Sequence, residues 1–367
     1  MSTTPLFSHI LLPASNPQGK YVLSVVAKTR YRISPDGKCV PESEPVKLEP
    51  ADKFFDGGDP LITACEVESD FIPWKPQTDI IIVGKACGPR GKEVIRMGVS
   101  VQVGSYRKNL VVTGDRQCQH KPLAGPVFSN PKPFTEMPLR YERAYGGMDI
   151  LSFSEAPVGY PRNPLGRGFV VKKKKETLDG LALPNIEDPN FLLTPEGLCV
   201  GEMKDWHRMP MPACVGVFGK IWYPRCSFAG VMPADMPLYE QLHEMSAGLV
   251  PPDQVEKYKS LKMPMLDFKF FNGASSGLAV PYLKGNEKVR LEGMDAAGPI
   301  EFTLPGGAPA IRIDYGPGMQ TPEIVLQTVV IRTVERTLDM VWRSACEYPG
   351  PTELEKLTKL DVIVEAS

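Results

Sequence analysis

The 38 prolines among 367 residues constrain this chain more than any other feature. That is roughly twice ordinary usage. Proline fixes φ and lacks a backbone donor, so it ends helices and stays out of central strands. The expected fold class is therefore mainly β, α+β at most, with antiparallel β-sandwich or barrel-like units and a few short helices. With 42% hydrophobic and 23% charged residues, the chain can still bury a sizeable core.

The strand signals are frequent. Tyr21–Thr29 is an apolar run that continues through Tyr31–Ile33 to the turn sequence Pro35-Asp36-Gly37-Lys38, a hairpin pattern. Thr78–Gly84 reads as a fully buried strand. Val94–Gly104 sets Val99, Val101 and Val103 on one face, and Asn109–Arg116 adds a strand and a turn. Leu266–Phe271, Lys288–Met294, Ile300–Gly306 and Asp361–Glu365 read as further strands. The clearest hairpin is Leu326–Arg332 with Leu338–Arg343; Leu338, Met340 and Trp342 share one face, Asp339 and Arg343 the other. Helix signals are fewer. Asp235–Gly248 carries a cap and a first-turn proline, Pro251-Pro252-Asp253 opens a shorter helix, and Thr352–Glu355 is a capping-box pattern. The chain divides into an N-terminal β-rich unit (1–130), a loop-rich connector (131–210) and a C-terminal β-rich unit (211–367), or closes as one continuous domain.

Several function classes find no footing. A net charge of −1 gives no general attraction to nucleic acid or to an anionic membrane. The eight cysteines include no Cys-x-x-Cys pair, so no zinc ribbon or thioredoxin-like site is expected, and no cofactor or metal. Met1–Pro13 lacks a signal-peptide pattern, and no run reaches membrane-spanning length, which points to a cytoplasmic protein with reduced thiols. Gly84–Lys92 fails as a phosphate loop: Ala86 stands where the first glycine belongs, and Glu93 follows the lysine. Lys172–Lys175 reads as a solvated loop and Trp206-His207-Arg208 as loop packing. Gly273-Ala274-Ser275-Ser276-Gly277 spells a hydrolase nucleophile elbow, but Pro281 and Gly285 leave no room for the helix that must follow. No histidine lies downstream of it either.

The most distinctive stretch runs from Met137 to Phe169. It alternates charged and aromatic residues and then makes two Gly-rich turns. Its candidate residues for partner binding or for locking a loop are Arg140, Tyr141, Glu142, Arg143, Tyr145, Gly146, Gly147, Asn163 and Arg167. Arg140, Glu142 and Arg143 are expected to form an internal ion-pair cluster, with Tyr141 and Tyr145 over their aliphatic stems.

Taken together, Asp79–Gly84, Val112–Arg116, Met137–Gly147, Asn163–Phe169, Leu183–Pro189, Phe270–Arg290 and the Trp342-Arg343 hairpin resemble a bacterial family known as domain of unknown function 2169, over most of the chain. The resemblance implies an accessory protein of the type VI secretion system: a non-enzymatic adaptor or chaperone. Such a protein stabilises a toxic effector and helps load it onto the spike of VgrG and PAAR proteins. Phe218–Cys226 and Met263–Phe268 depart from the family's pattern, a difference that would fit a different cargo. The alternatives are a hydrolase using Ser275 or Ser276, and a structural component of the secretion apparatus.

Overall fold

The structure is a computed structural model that describes residues 4–121, 123–152, 156–172, 174–198, 209–230, 250, 252–261, 266–314, 319–348 and 361–366. The expected helix Asp235–Gly248, the segment Trp206-His207-Arg208 and the capping box Thr352–Glu355 lie outside the described residues.

Thirteen strands make up most of the three largest sheets. In the first half they are β1 (Ser8–Ser15), β2 (Tyr21–Ile33), β3 (Thr78–Val83), β4 (Arg96–Val103), β5 (Tyr106–Thr113) and β6 (Ile186–Glu187). The second half adds β7 (Ala279–Val280), β8 (Lys288–Glu292), β9 (Ile300–Thr303), β10 (Pro309–Asp314), β11 (Ile324–Arg332), β12 (Thr337–Glu347) and β13 (Asp361–Ala366). One sheet has the order β1-β2-β12-β11-β3-β7, with Cys39–Pro41 also paired to β2. A second has the order β6-β5-β4-β8-β9, and Met319–Gln320, β10 and β13 make a third. The longest described helix-like signal, after Pro251, is realised as α1 (Pro252–Leu261). The chain is mainly β, as its proline content demands.

Pairing is antiparallel throughout the large sheets except between β3 and β11, which run parallel from Thr328↔Asp79 to Arg332↔Val83. Both large sheets combine strands from residues 1–130 with strands from residues 211–367, so these two stretches share a core. The main core lies between the sheets. Ile80, Ile82, Val329, Ile331, Met340 and Trp342 face Val99, Val101, Val103, Leu110, Val289 and Phe302. On the outer face of the first sheet, Ile81, Val83 and Val330 pack against Phe55, Val67, Tyr141, Phe218 and Trp222. Burial on both faces explains why β3 reads as a continuous apolar run, since alternation appears only when one face meets water.

The β11–β12 hairpin divides its faces as its alternation indicates, and here too both faces are buried. Asp339 and Arg343 do point away from Leu338, Met340 and Trp342, but they are buried at 0% and 4% exposure. Asp339 accepts from Arg30 Nε and Nη2 at 2.5 and 2.9 Å and from Arg332 Nη1 at 2.9 Å. Lys28 Nζ stands 3.7 Å away and donates to Asp70 at 2.8 Å. Arg343 lies 3.9 Å over the Trp74 ring and donates to the Tyr282 hydroxyl. Ladder position revealed the face, but not the segment around Asp70–Trp74 that covers it.

Leu266–Phe271 departs from its expected strand. Instead of a strand, Phe268–Phe271 forms a 3-10 turn, capped by the Asp267 carboxylate accepting from Lys269 N at 2.9 Å. An Asp preceding such a turn offers the backbone a local partner that competes with a strand ladder.

Candidate functional site

Four separated segments converge where the distinctive stretch folds back on itself. Tyr141–Arg143 is a single 3-10 turn, and such a turn rotates successive side chains by about 120°. Neighbouring side chains therefore diverge, and the expected internal ion-pair cluster does not form. Arg140 pairs with Asp56 at 2.7 Å and lies 3.9 Å over the Phe55 ring. Glu142 accepts from Ala64 N at 2.8 Å. Arg143 reaches Asp115 Oδ1 at 3.1 Å and Asn185 Oδ1 at 3.2 Å.

The tyrosines also part company, each into a different core, rather than covering arginine stems. Tyr141 is 1% exposed and meets Phe218 and Trp222 edge-on, at ring separations of 5.7 and 5.1 Å. Tyr145 packs edge-on against Tyr160, which in turn meets Phe169, among Val170, Leu178 and Leu183.

What the sequence singled out as two Gly-rich turns is one clasp. Tyr145–Gly146 pairs in parallel with Arg167–Gly168. Asn163, fully buried, donates from Nδ2 to the carbonyls of Tyr141 at 2.8 Å and Tyr145 at 3.1 Å. Its own carbonyl accepts from Gly147 N at 2.8 Å. Gly146 has φ +144°, and a Cβ there would sit 2.0 Å from the Asn163 carbonyl oxygen. Glycine is thus required by conformation and by space. Gly147 approaches Gly166 in the same way. Both glycines and Asn163 hold the loop together.

Arg167 completes the clasp and links it to two segments that the sequence reading did not place in the site. Its Nε donates to the Glu142 carbonyl at 3.0 Å, and its Nη1 reaches Asn185 Oδ1 at 3.1 Å and Asp115 Oδ1 at 3.5 Å. Asn185 Nδ2 donates to Asp115 Oδ1 at 3.0 Å and to the Thr113 carbonyl at 2.9 Å. Beside them Arg116 pairs with Glu187, whose other oxygen accepts from Leu193 N at 2.8 Å. Asp115, Arg116 and Asn185 lie in irregular backbone and Glu187 ends the two-residue β6, too short for a periodic pattern; the clustering of Asp, Asn, Pro and Gly around them was the available signal.

Charge is unevenly matched here. Burial alone would raise the Asp115 carboxyl, but the Asn185 hydrogen bond and the Arg143 and Arg167 charges outweigh it and hold it below the usual carboxylate value. Burial and the neighbouring Arg143 charge lower Arg167. Burial raises Glu187 despite Arg116. Arg143 and Arg167 keep side-chain exposures of 28% and 29%, so the pair reaches the surface.

The serine motif belongs to the wall behind the clasp. Ser275 is 0% exposed and its Oγ donates to the Gly216 carbonyl at 3.0 Å. The Tyr141 hydroxyl lies 2.6 Å from that Oγ, and with the serine proton committed to Gly216 the tyrosine is the donor. Burial pushes the Tyr141 phenol well above its ordinary value. The motif follows a 3-10 turn and leads into a two-residue strand, not the strand–turn–helix that an elbow needs. Asp79 accepts from Gly273 N at 2.9 Å and from Lys75 at 2.7 Å, which pins this turn to β3. Among the described residues no group of three or more His, Cys, Asp and Glu is placed to hold a metal, and no helix is long and apolar enough to cross a membrane.

Neither a curated protein nor a solved structure matches the chain. A family model does match, over residues 18–343, and it spans every segment of the clasp. The chain belongs to that family, described as "Uncharacterized protein conserved in bacteria (DUF2169)".

Proposed function

We propose that this protein is a non-enzymatic adaptor or chaperone that binds a type VI secretion effector in the cytoplasm, stabilises it, and helps load it onto the VgrG/PAAR spike. The resemblance set out above motivates the secretion setting. One structural observation carries the binding role: large apolar side chains stand exposed on loops that the clasp ties down. Leu61 and Ile62, both 72% exposed, precede Ala64, which is bonded to Glu142. Met148, Ile150 and Leu151 follow Gly147 directly. Phe191 and Leu192 precede Leu193, held by Glu187.

Single exposed hydrophobics are ordinary, whereas several on segments anchored to the clasp or beside it suit a protein partner. A fixed loop also loses little entropy on binding. The test is co-expression with the effector and spike proteins encoded beside it, read by effector yield and co-elution. A soluble, co-eluting effector is the expected result. Unchanged yield with neither partner co-eluting rejects the adaptor role.

A further inference from the structure

We propose that Arg143 and Arg167 together form a docking site for an acidic segment of the protein partner, a short stretch with Asp or Glu flanked by apolar residues. The proposal rests on the adaptor reading and names the chemistry its cargo or spike must present.

The hydrogen-bonding capacity of the two guanidiniums is only partly filled. Both guanidiniums point Nη1 at the same two oxygens, Asp115 Oδ1 and Asn185 Oδ1. Asn185 is neutral, so Asp115 is the one carboxylate hydrogen-bonded to both cations; the Glu142 carboxylate also acts on Arg167 but accepts from Ala64 N. The nearby carboxylate of Glu187 is already taken by Arg116 and Leu193 N. Among the described residues no acceptor is placed on Nη2 of either arginine. The cations are crowded, and more than a quarter of each side chain is open to solvent. A guanidinium presents its donors as a planar fork that matches a carboxylate. The positions are fixed beforehand, because Arg167 Nε is held by the Glu142 carbonyl and the Arg143 carbonyl accepts from Asn185 N at 2.8 Å. Apolar flanks of the incoming segment find Ile150 and Phe191, exposed at 64% and 52% on loops leaving the clasp. A net charge of −1 over the whole chain disfavours nucleic acid as the occupant.

The experiment uses the full-length protein on an array of overlapping 15-residue peptides from the effector and spike proteins encoded beside it, with a single-stranded oligonucleotide as competitor. Acidic peptides with apolar neighbours should bind, and replacing their Asp and Glu by Asn and Gln should abolish binding. Arg143→Gln with Arg167→Gln should weaken the bound peptides by about tenfold or more. Asp115→Asn removes the internal competitor and should tighten them. Should the double variant fold poorly, Asp115→Asn and Arg143→Lys, which loses the fork but keeps the charge, give the same decision at unchanged melting temperature.

The proposal is overturned if bound peptides show no acidic requirement, if no variant changes their affinity, or if the oligonucleotide displaces them as the better ligand. The pull-down decides separately. An effector that co-elutes while the array shows no arginine-dependent acidic peptide leaves the adaptor role standing and this site refuted.

Discussion

Asp339 is where a single atom change should report most directly on the sheet core. Its fully buried carboxylate is shared by Arg30 and Arg332, with Lys28 at 3.7 Å. Asp339→Asn preserves volume and removes the charge. Deleting one member of a buried ion pair costs about 3–5 kcal/mol, mostly because the partner is left uncompensated. Here Arg30 and Arg332 retain 28% and 14% exposure, so water relieves them, and Lys28 keeps Asp70. The expected loss is therefore at the lower end, about 3 kcal/mol. It is read from urea unfolding as a fall in midpoint at unchanged slope. Acid supplies a second test. Burial alone would raise the Asp339 carboxyl, but the Arg30 hydrogen bond and the Arg332 and Lys28 charges hold it below its ordinary value. A carboxyl depressed in the folded state stabilises above its unfolded value, about 3.9, and that contribution is lost as pH falls through the folded value. The gap between wild type and Asp339→Asn should thus be constant near neutrality and narrow below about pH 4. A variant within about 1 kcal/mol of wild type at pH 7, or a gap that persists undiminished in acid, refutes the reasoning.

Four further outcomes are expected. Tyr141→Phe removes a buried donor to Ser275 and should cost about 1–2 kcal/mol in denaturant titration. Ser275→Ala together with Ser276→Ala should leave co-expressed effector yield intact at a temperature where the variant is folded; loss of that effect with an intact fold would favour serine chemistry. Gly146→Ala should abolish soluble expression because its Cβ meets the Asn163 carbonyl, whereas Gly91→Ala, also at positive φ but with nothing within 4 Å, should cost only about 1 kcal/mol. Ile150→Ser with Phe191→Ser should weaken effector capture while leaving the melting temperature within a few degrees; equal capture would remove these loops from the interface.

Strands were legible wherever one physical pattern dominated. Val99, Val101 and Val103 alternate because β4 presents one face to the main core, and the β11–β12 hairpin announces itself by two β-rich runs around a short turn. The parallel partner of β3 was not legible, since an apolar run buried on two faces carries no mark of which strand lies beside it. The clasp was legible by half. Gly146, Gly147 and Asn163 stand out because unusual backbone needs particular residues. Asp115 and Asn185 did not, because a hydrogen bond across 70 residues leaves no trace in local spacing. Adjacent charges on paper misled for the same reason: the 3-10 turn sends Glu142 and Arg143 apart, and Arg140 stands before it in extended backbone, paired with Asp56.

The parallel pairing of β3 with β11 also sets a timetable for synthesis. Thr78–Val83 leaves the ribosome early, yet its neighbour in the sheet arrives roughly 250 residues later, at about 5–20 residues per second. For about 12–50 s, then, the nascent chain holds Ile80, Ile81 and Ile82 without the strand that pairs them. Local hairpins such as β1–β2 and β4–β5 can close at once, but β3 waits for β11 before it joins the first sheet through that edge. A truncated chain ending before Ile324 should therefore be captured by general folding factors, because its central strand has been made and its partner has not.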